Sequence, residues 1–244
     1  MISLNQDIKI LLFDIEGTTS SIAFVHEVLF PFARNNALEY LTKHWDYPEV
    51  LALGQKIIEE ARNLNKEDRS TVGLPTPELA FQAVCQLMDC DAKVTGLKHL
   101  QGLIWKEGFV AKRIQSHVYP EVAQALESFK KNGFRLFIYS SGSIQAQKLY
   151  FLHTIYGDLL SFFEGHFDTT SGNKTDSQSY QNISDIIGVK PSEICFFSDA
   201  VKEIIAARSL SMQTVWVVRP GNVLSDPPEG PRITNFGEMA MDTK

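Results

Sequence analysis

Two carboxylates sit at the end of an apolar run: in ILLFDIEGTT, Ile10 to Thr19, Asp14 stops the run and Glu16 follows two positions later. In extended backbone, residues two apart point the same way, so both acids can address one ligand. Adjacent carboxylates repel unless a cation or a shared proton stabilises them. Solvated loop acids or helix-capping residues have the same spacing, so this pair alone decides little. Other segments add complementary groups: SDAVKE carries Asp199 and Glu203, YSSGS carries Ser140, and SGNKTDS carries Lys174. Asp14 and Asp199 with a main-chain carbonyl between them form an all-oxygen set suited to Mg²⁺. The Ser140 hydroxyl and the amides of Ser141 and Gly142 can hold a phosphate, and Lys174 is available as a point charge.

These groups are far apart in the chain, so a scaffold must gather them. Ile8 to Phe13 reads as a buried strand, apolar throughout and sharply ended. The pattern recurs in FRLFIYSSGS, ending at Ser140, in ICFFSDA, ending at Asp199, and in MQTVWVVRPGN, ending at Arg219; GHFDTT around Phe167 is a weaker instance. Helical patterns lie between them. EVAQALESFKKNG stops at Gly133, and SQSYQNISDIIG stops at Gly188 with Pro191 beyond. Strands alternating with helices predict an α/β fold, a Rossmann-like doubly wound parallel sheet. Right-handed crossovers bring the polar strand ends to one edge, where open α/β sheets bind ligands.

From Ser20 to Ser116 the periodicity is helical and no strand stands out. IAFVHEVLFPFARNNALEYLTKHW is one amphipathic stretch interrupted by Pro31. YPEVLALGQKIIEEARNL has Pro48 near its first turn, and TPELAFQAVCQLM has Thr76 as N-cap with Pro77 behind it. VTGLKHLQGLIWKEGFVAKR is the fourth helical stretch, and NKEDRSTVGLPT, Asn65 to Thr76, is the most loop-like segment. The expected organisation is an α/β core of residues 1–19 and 117–244, with a helical cap of residues 20–116 inserted behind the first strand to cover the acidic edge.

Apolar residues make up 44% of the 244, enough for a substantial core. The net charge of −6 and the lack of a long basic run argue against nucleic-acid or anionic-membrane partners. Three cysteines, Cys85, Cys90 and Cys195, show no C-x-x-C spacing and read as packed thiols in a reducing compartment. The opening MISLNQDIKI lacks a signal-like apolar run, and no segment is long and apolar enough to span a bilayer. A cytoplasmic location is the expectation.

The four motifs together, DIEGT, YSSGS, Lys174 and SDAVKE, resemble the haloacid dehalogenase superfamily. The resemblance implies a Rossmann-like sheet with a cap. It also implies phosphoryl transfer to the Asp14 carboxylate, followed by release with water. One Mg²⁺ per subunit would be held by Asp14, the Glu16 main-chain carbonyl and Asp199, with Glu203 behind it or on a bound water. A carboxylate approaching a phosphate dianion at about 4 Å faces roughly 8 kcal/mol of repulsion at an effective dielectric of about 20. Uncompensated, that would slow the step by about six powers of ten, so the ion and Lys174 must offset it while Ser140 and Ser141 orient the phosphate oxygens.

Glu16 departs from the Asp that most phosphatases of the superfamily carry two positions after the nucleophile. With DIEGTTSSIAFVHEVLFPFA, LQGLIW, YSSGSIQAQKLYF, HFDTTSGNKTDSQSY and VVRPGN, the departure resembles one branch, the enolase-phosphatases of methionine salvage. That resemblance implies the substrate 2,3-diketo-5-methylthiopentyl 1-phosphate, enolised and then hydrolysed to acireductone and phosphate, and it implies a monomer. Glu16 is the first candidate for proton carrier. Phe24, Val25, Leu29 and Trp105 are candidates to line a pocket for the thioether tail, against ordinary packing between helices. Arg219 and Asn222 are candidates to reach the site, against a solvated turn, and His166 reads as structural. The rival readings are a phosphatase of another small phosphorylated metabolite, a dehalogenase, and a phosphate-binding scaffold without turnover.

Overall fold

The computed structural model describes residues 1–65, 74–222 and 228–240, so most of the expected loop Asn65 to Thr76 lies outside the described residues. The chain opens with the short strand β1 (Ile2–Ser3) and then β2 (Ile10–Phe13), whose four residues are all buried. Burial on both faces is why its sequence shows no alternation. A tight loop leads to α1 (Ile22–Phe24), where the Ser21 hydroxyl accepts from the Ala23 N–H at 3.2 Å.

A π-helical turn, Val25–Leu29, then runs into α2 (Phe30–His44), with Pro31 in the first turn of that helix. Helical backbone runs without a break from Ile22 to His44, and Pro31 marks the irregularity within it. Lacking an N–H, it cannot bond back four residues, and the irregular turn falls just upstream of it. Next come α3 (Pro48–Asn65), α4 (Pro77–Asp89) and α5 (Thr95–Val110). The Thr76 hydroxyl caps α4, accepting from the Leu79 N–H at 3.3 Å. These four helices bury Leu41, Ile57, Val84, Leu87 and Leu100 in a core of their own.

The chain continues through α6 (Val122–Lys131), β3 (Arg135–Tyr139), α7 (Ile144–Leu152), β4 (Phe163–Phe167) and α8 (Ser177–Ile187). It ends with β5 (Ile194–Ser198), α9 (Val201–Arg208), β6 (Gln213–Val217), β7 (Arg232–Ile233) and β8 (Met239–Ala240). The main sheet is parallel throughout, in the order β4-β3-β2-β5-β6-β7, and β1 pairs with β8. On one face Leu12, Tyr139, Tyr180 and Phe196 pack together. On the other, Phe13 stacks on Phe197 with ring centres 4.9 Å apart and meets Phe236 edge-on.

Strand register decides what shares the edge. Phe13 lies opposite Ile138 on one side and Phe197 on the other, so Asp14 emerges level with Tyr139 and Ser198, one residue short of Ser140 and Asp199. The expected doubly wound parallel sheet is the observed one.

The described chain divides into two compact units, Met1–Val25 with Gln115–Lys244, and His26–Ile114. The breaks fall inside the expected cap, so Ser20 to Val25, Gln115 and Ser116 go with the sheet. Hydrogen bonds explain this. The Tyr119 N–H donates to Thr19 O at 3.1 Å, and the Ser20 hydroxyl meets Tyr150 Oη at 2.5 Å. Phe24 and Val25 thus belong to the sheet unit. Leu29 and Trp105 belong to the helical unit, where the Trp105 indole donates to Leu29 O at 2.8 Å.

Candidate active site

Asp14 leaves β2 with its N–H donating to Phe197 O at 3.0 Å. The chain then turns. The N–H groups of Thr18, Thr19 and Ser20 all converge on Ile15 O, at 3.2, 3.0 and 2.9 Å. Glu16 stands within this loop, bridged to Ser20. Gly17 takes the left-handed conformation, φ +74°, and a Cβ there would stand 2.3 Å from Asp199 Oδ2. A glycine is required at this point on both counts.

Thr18, which the sequence reading passed over, joins the two acidic strand ends. Its hydroxyl donates to Asp14 Oδ2 at 3.2 Å and accepts from the Asp199 N–H at 3.1 Å. Asn222 supplies a second link, its amide donating to Gly17 O at 3.0 Å and to Asp199 Oδ2 at 3.1 Å. Both contacts hold Asp199 against the Asp14 loop.

Lys174 arrives from the segment before α8. Its Nζ lies 2.6 Å from Asp14 Oδ1 and 2.6 Å from Glu203 Oε2, with only 8% of the residue exposed. The Tyr180 hydroxyl fixes its backbone, donating to Lys174 O at 2.7 Å. Burial disfavours the ammonium, but the charges of Asp14 and Glu203 outweigh it and raise the Lys174 pKa, so the side chain stays protonated. Glu203 also accepts from the Ser198 hydroxyl at 2.8 Å. Burial pushes the carboxyls of Asp199 and Glu203 upward, and the negative charge of Asp14 adds to that.

This imbalance tests the fit of a cation. Three carboxylates, Asp14, Asp199 and Glu203, share one ammonium, which leaves two negative charges uncompensated when all are ionised. A divalent ion matches that deficit, and hard oxygen donors match Mg²⁺. Among the described residues no three acidic, histidine or cysteine side chains gather into a ready ligand cluster. The expected set of two carboxylates and a main-chain carbonyl calls for no such cluster.

Ser140 follows β3, 3% exposed, with its N–H donating to Phe167 O at 3.2 Å. Its hydroxyl faces the Gly142 N–H at 3.4 Å, while the Ser141 side chain is exposed. Behind this loop lie two groups that spacing does not reveal. Gln147 places its amide nitrogen on three carbonyls, of Gly142 at 2.7 Å, Phe167 at 2.8 Å and Ser140 at 3.4 Å. Asp168 accepts from the Ile144 N–H at 3.2 Å and from the Thr170 N–H at 2.9 Å. A polar residue on the buried face of α7 was the only sequence signal for Gln147.

Arg219 is buried rather than in a solvated turn. Its Nε donates to Thr18 O at 3.0 Å, its Nη1 meets Glu121 Oε1 at 2.6 Å and Thr234 O at 2.9 Å, and it stacks over Tyr119 at 4.0 Å. It braces the Asp14 loop from behind. His117, unremarked in the sequence, accepts the Ser21 N–H on Nδ1 at 3.1 Å, and burial together with Arg219 lowers its pKa. His166 is buried within the sheet unit, its Nδ1 3.3 Å from Gln147 Oε1.

Residues 8–210 match the family described as haloacid dehalogenase-like hydrolase. The chain is 43% identical over 220 residues to the Enolase-phosphatase E1 of Drosophila persimilis, covering 88% of this chain and 86% of that one. It is 40% identical to the Enolase-phosphatase E1 of Persephonella marina, covering 97% and 96%. Among solved structures it is similar to the UTR4 protein of Saccharomyces cerevisiae, with 33% identity, a TM-score of 0.76, and 95% and 99% of the two chains covered. A dehalogenase structure at 20% identity and TM-score 0.54, covering 96% of both chains, shares the fold.

Proposed function

The chain belongs to the haloacid dehalogenase-like hydrolases, and from that premise we propose that it is an enolase-phosphatase of methionine salvage. Its substrate in this reading is 2,3-diketo-5-methylthiopentyl 1-phosphate, enolised and then hydrolysed to acireductone and phosphate. The observation that carries the reading is the buried Asp14 carboxylate, 2.6 Å from Lys174 Nζ, at the sheet edge that also bears the Ser140 loop.

In the phosphatase step an Asp14 oxygen forms a bond to phosphorus as the bond to the enol oxygen breaks. The leaving oxygen takes a proton, for which Glu16 is the candidate carrier. Water then attacks the aspartyl phosphate and frees Asp14. Lys174 stays beside Asp14 throughout and offsets the repulsion between carboxylate and phosphate. Ser140 and the Ser141 amide hold the phosphate oxygens in place. Mg²⁺, held by the Asp14 and Asp199 carboxylates and the Glu16 carbonyl, would supply Lewis-acid polarisation of the ketone and phosphoryl oxygens.

The same proposal covers the setting, a cytoplasmic monomer acting on a small molecule and not on nucleic acid or a membrane. The net charge of −6 supports it, and among the described residues no helix is long and apolar enough to cross a membrane. The test is to supply the diketo phosphate with Mg²⁺ and follow acireductone absorbance and free phosphate together. The reading expects both products in equal amounts; phosphate without acireductone would overturn the assignment of substrate.

A further inference from the structure

Gln147 sits in the first turns of α7 and is 2% exposed. Its amide nitrogen carries two hydrogens, and the short contacts to Gly142 O and Phe167 O, at 2.7 and 2.8 Å, take one each. A trans peptide carries its C=O and N–H on opposite sides. Turning the Gly142 carbonyl toward Gln147 therefore turns the Ser143 N–H away from it. The longer contact to Ser140 O, at 3.4 Å, orients the Ser141 N–H in the same sense. Neither of those N–H groups has an acceptor among the described residues. They are free donors on a loop whose Ser140 and Gly142 carbonyls are held from the other side.

A glutamine amide can flip, which would set its oxygen against three carbonyls. Those carbonyls oppose the flip, and His166 adds to their restraint when its proton sits on Nδ1. Its Nδ1 lies 3.3 Å from Gln147 Oε1, and because that oxygen has only its lone pairs to offer, Nδ1 carries the proton. The tautomer leaves His166 Nε2 as a bare lone pair, buried and without a partner among the described residues. A neutral unpaired acceptor there costs far less than an unpaired charged N–H.

We propose that Gln147 and His166 are positioning residues for phosphate binding: His166 helps to fix which way the Gln147 amide faces, and Gln147 turns the main-chain N–H groups of Ser141 and Ser143 toward the phosphoryl group. The proposal rests on the reading of this edge as a phosphoryl-transfer site. Lys174 serves Asp14 and Glu203, so the β3 loop must bind phosphate through oriented dipoles.

The experiment uses the full chain with Mg²⁺, inorganic phosphate as the probe, and steady-state kinetics on the diketo phosphate. Gln147→Met should raise both KM and the phosphate inhibition constant about tenfold or more, with kcat held within about threefold, the pattern of lost uniform binding. His166→Leu should do the same to a smaller degree. His166→Asn, which keeps a donor near the place of Nδ1, should return both constants to within about twofold of the parent. In the parent, phosphate should shift the amide resonances of Ser141 and Ser143; in Gln147→Met it should not. Unchanged constants in Gln147→Met, or His166→Asn as damaging as His166→Leu, would overturn the proposal. If Gln147→Met fails to fold, the two His166 variants decide it alone. A parent that neither binds phosphate nor turns over would overturn the reading of the site, and the brace with it.

Discussion

The loops after β2 and β3 leave adjacent strands of one sheet and solve opposite problems. The β2 loop gathers charge. Asp14, Asp199, Glu203 and Lys174 meet there, and the amides of Thr18, Thr19 and Ser20 are consumed on Ile15 O. The β3 loop bears no charged side chain; its Ser140 and Gly142 carbonyls are held from behind by Gln147, which leaves the Ser141 and Ser143 amides unpaired in front among the described residues. One loop is built to attack and to be neutralised, the other to receive. A carboxylate and a phosphate must meet here without either loop repelling the other's ligand, and dividing acids from donors achieves that.

The sharpest break removes the attacking group. Asp14→Asn should reduce phosphate release by about a thousandfold or more while sparing some enolisation, read as solvent-deuterium uptake into the substrate. Native phosphate release would place the nucleophile elsewhere. Next is Lys174→Met, which strands Asp14 and Glu203 as buried acids without their partner. Stability should fall by about 3 kcal/mol or more in denaturant titration, with turnover lost; a stable, active variant would remove the lysine from the charge balance. Gly17→Ala meets Asp199 Oδ2 at 2.3 Å and strains a left-handed φ, so a loss of about 1–2 kcal/mol is expected, with weakened Mg²⁺ dependence of the rate. An active variant with parental Mg²⁺ response would show that the two acidic loops need not lie so close.

At neutral pH the smallest effect belongs to the β3 side, and it is a pH dependence. Burial, with Lys148 nearby, lowers the His166 pKa from 6.5 to about 4. Above pH 6.5 both folded and unfolded states hold it neutral, and it has no effect. As pH falls below 6.5 the unfolded chain takes up a proton that the native state refuses, so stability declines until pH nears 4. The loss should total about 3 kcal/mol across that window and be absent from the curve of His166→Asn, checked by urea midpoints at several pH values. Parallel curves for parent and variant would show that His166 takes up its proton as readily in the fold as in the unfolded chain.

What the sequence disclosed was the strand tips. A buried parallel strand must be apolar to its last residue, so Asp14, Ser140 and Asp199 announce themselves where the run stops. Lys174 lacks a strand to mark it; its loop showed only an available point charge, and the resemblance supplied its place. Most of the groups that hold the tips were hidden. Thr18 and Gln147 are ordinary residues until folding sets them against carbonyls and carboxylates distant in the chain. The turn after β2 was also out of reach, because it closes on Ile15 O through hydrogen bonds between neighbours that periodicity does not register.

The position of β2 in the middle of the sheet has a consequence for biosynthesis. Both of its neighbours are translated much later than itself, and the lysine that pairs with Asp14 lies 160 residues downstream. On the ribosome β2 must wait, unpaired and apolar, through the emergence of an entire helical unit. Contacts of that sequence separation make folding slow and leave a sticky edge exposed. A nascent chain halted before Ile194 should therefore be inert and prone to chaperone capture, with competence switching on only after β5 has left the exit tunnel.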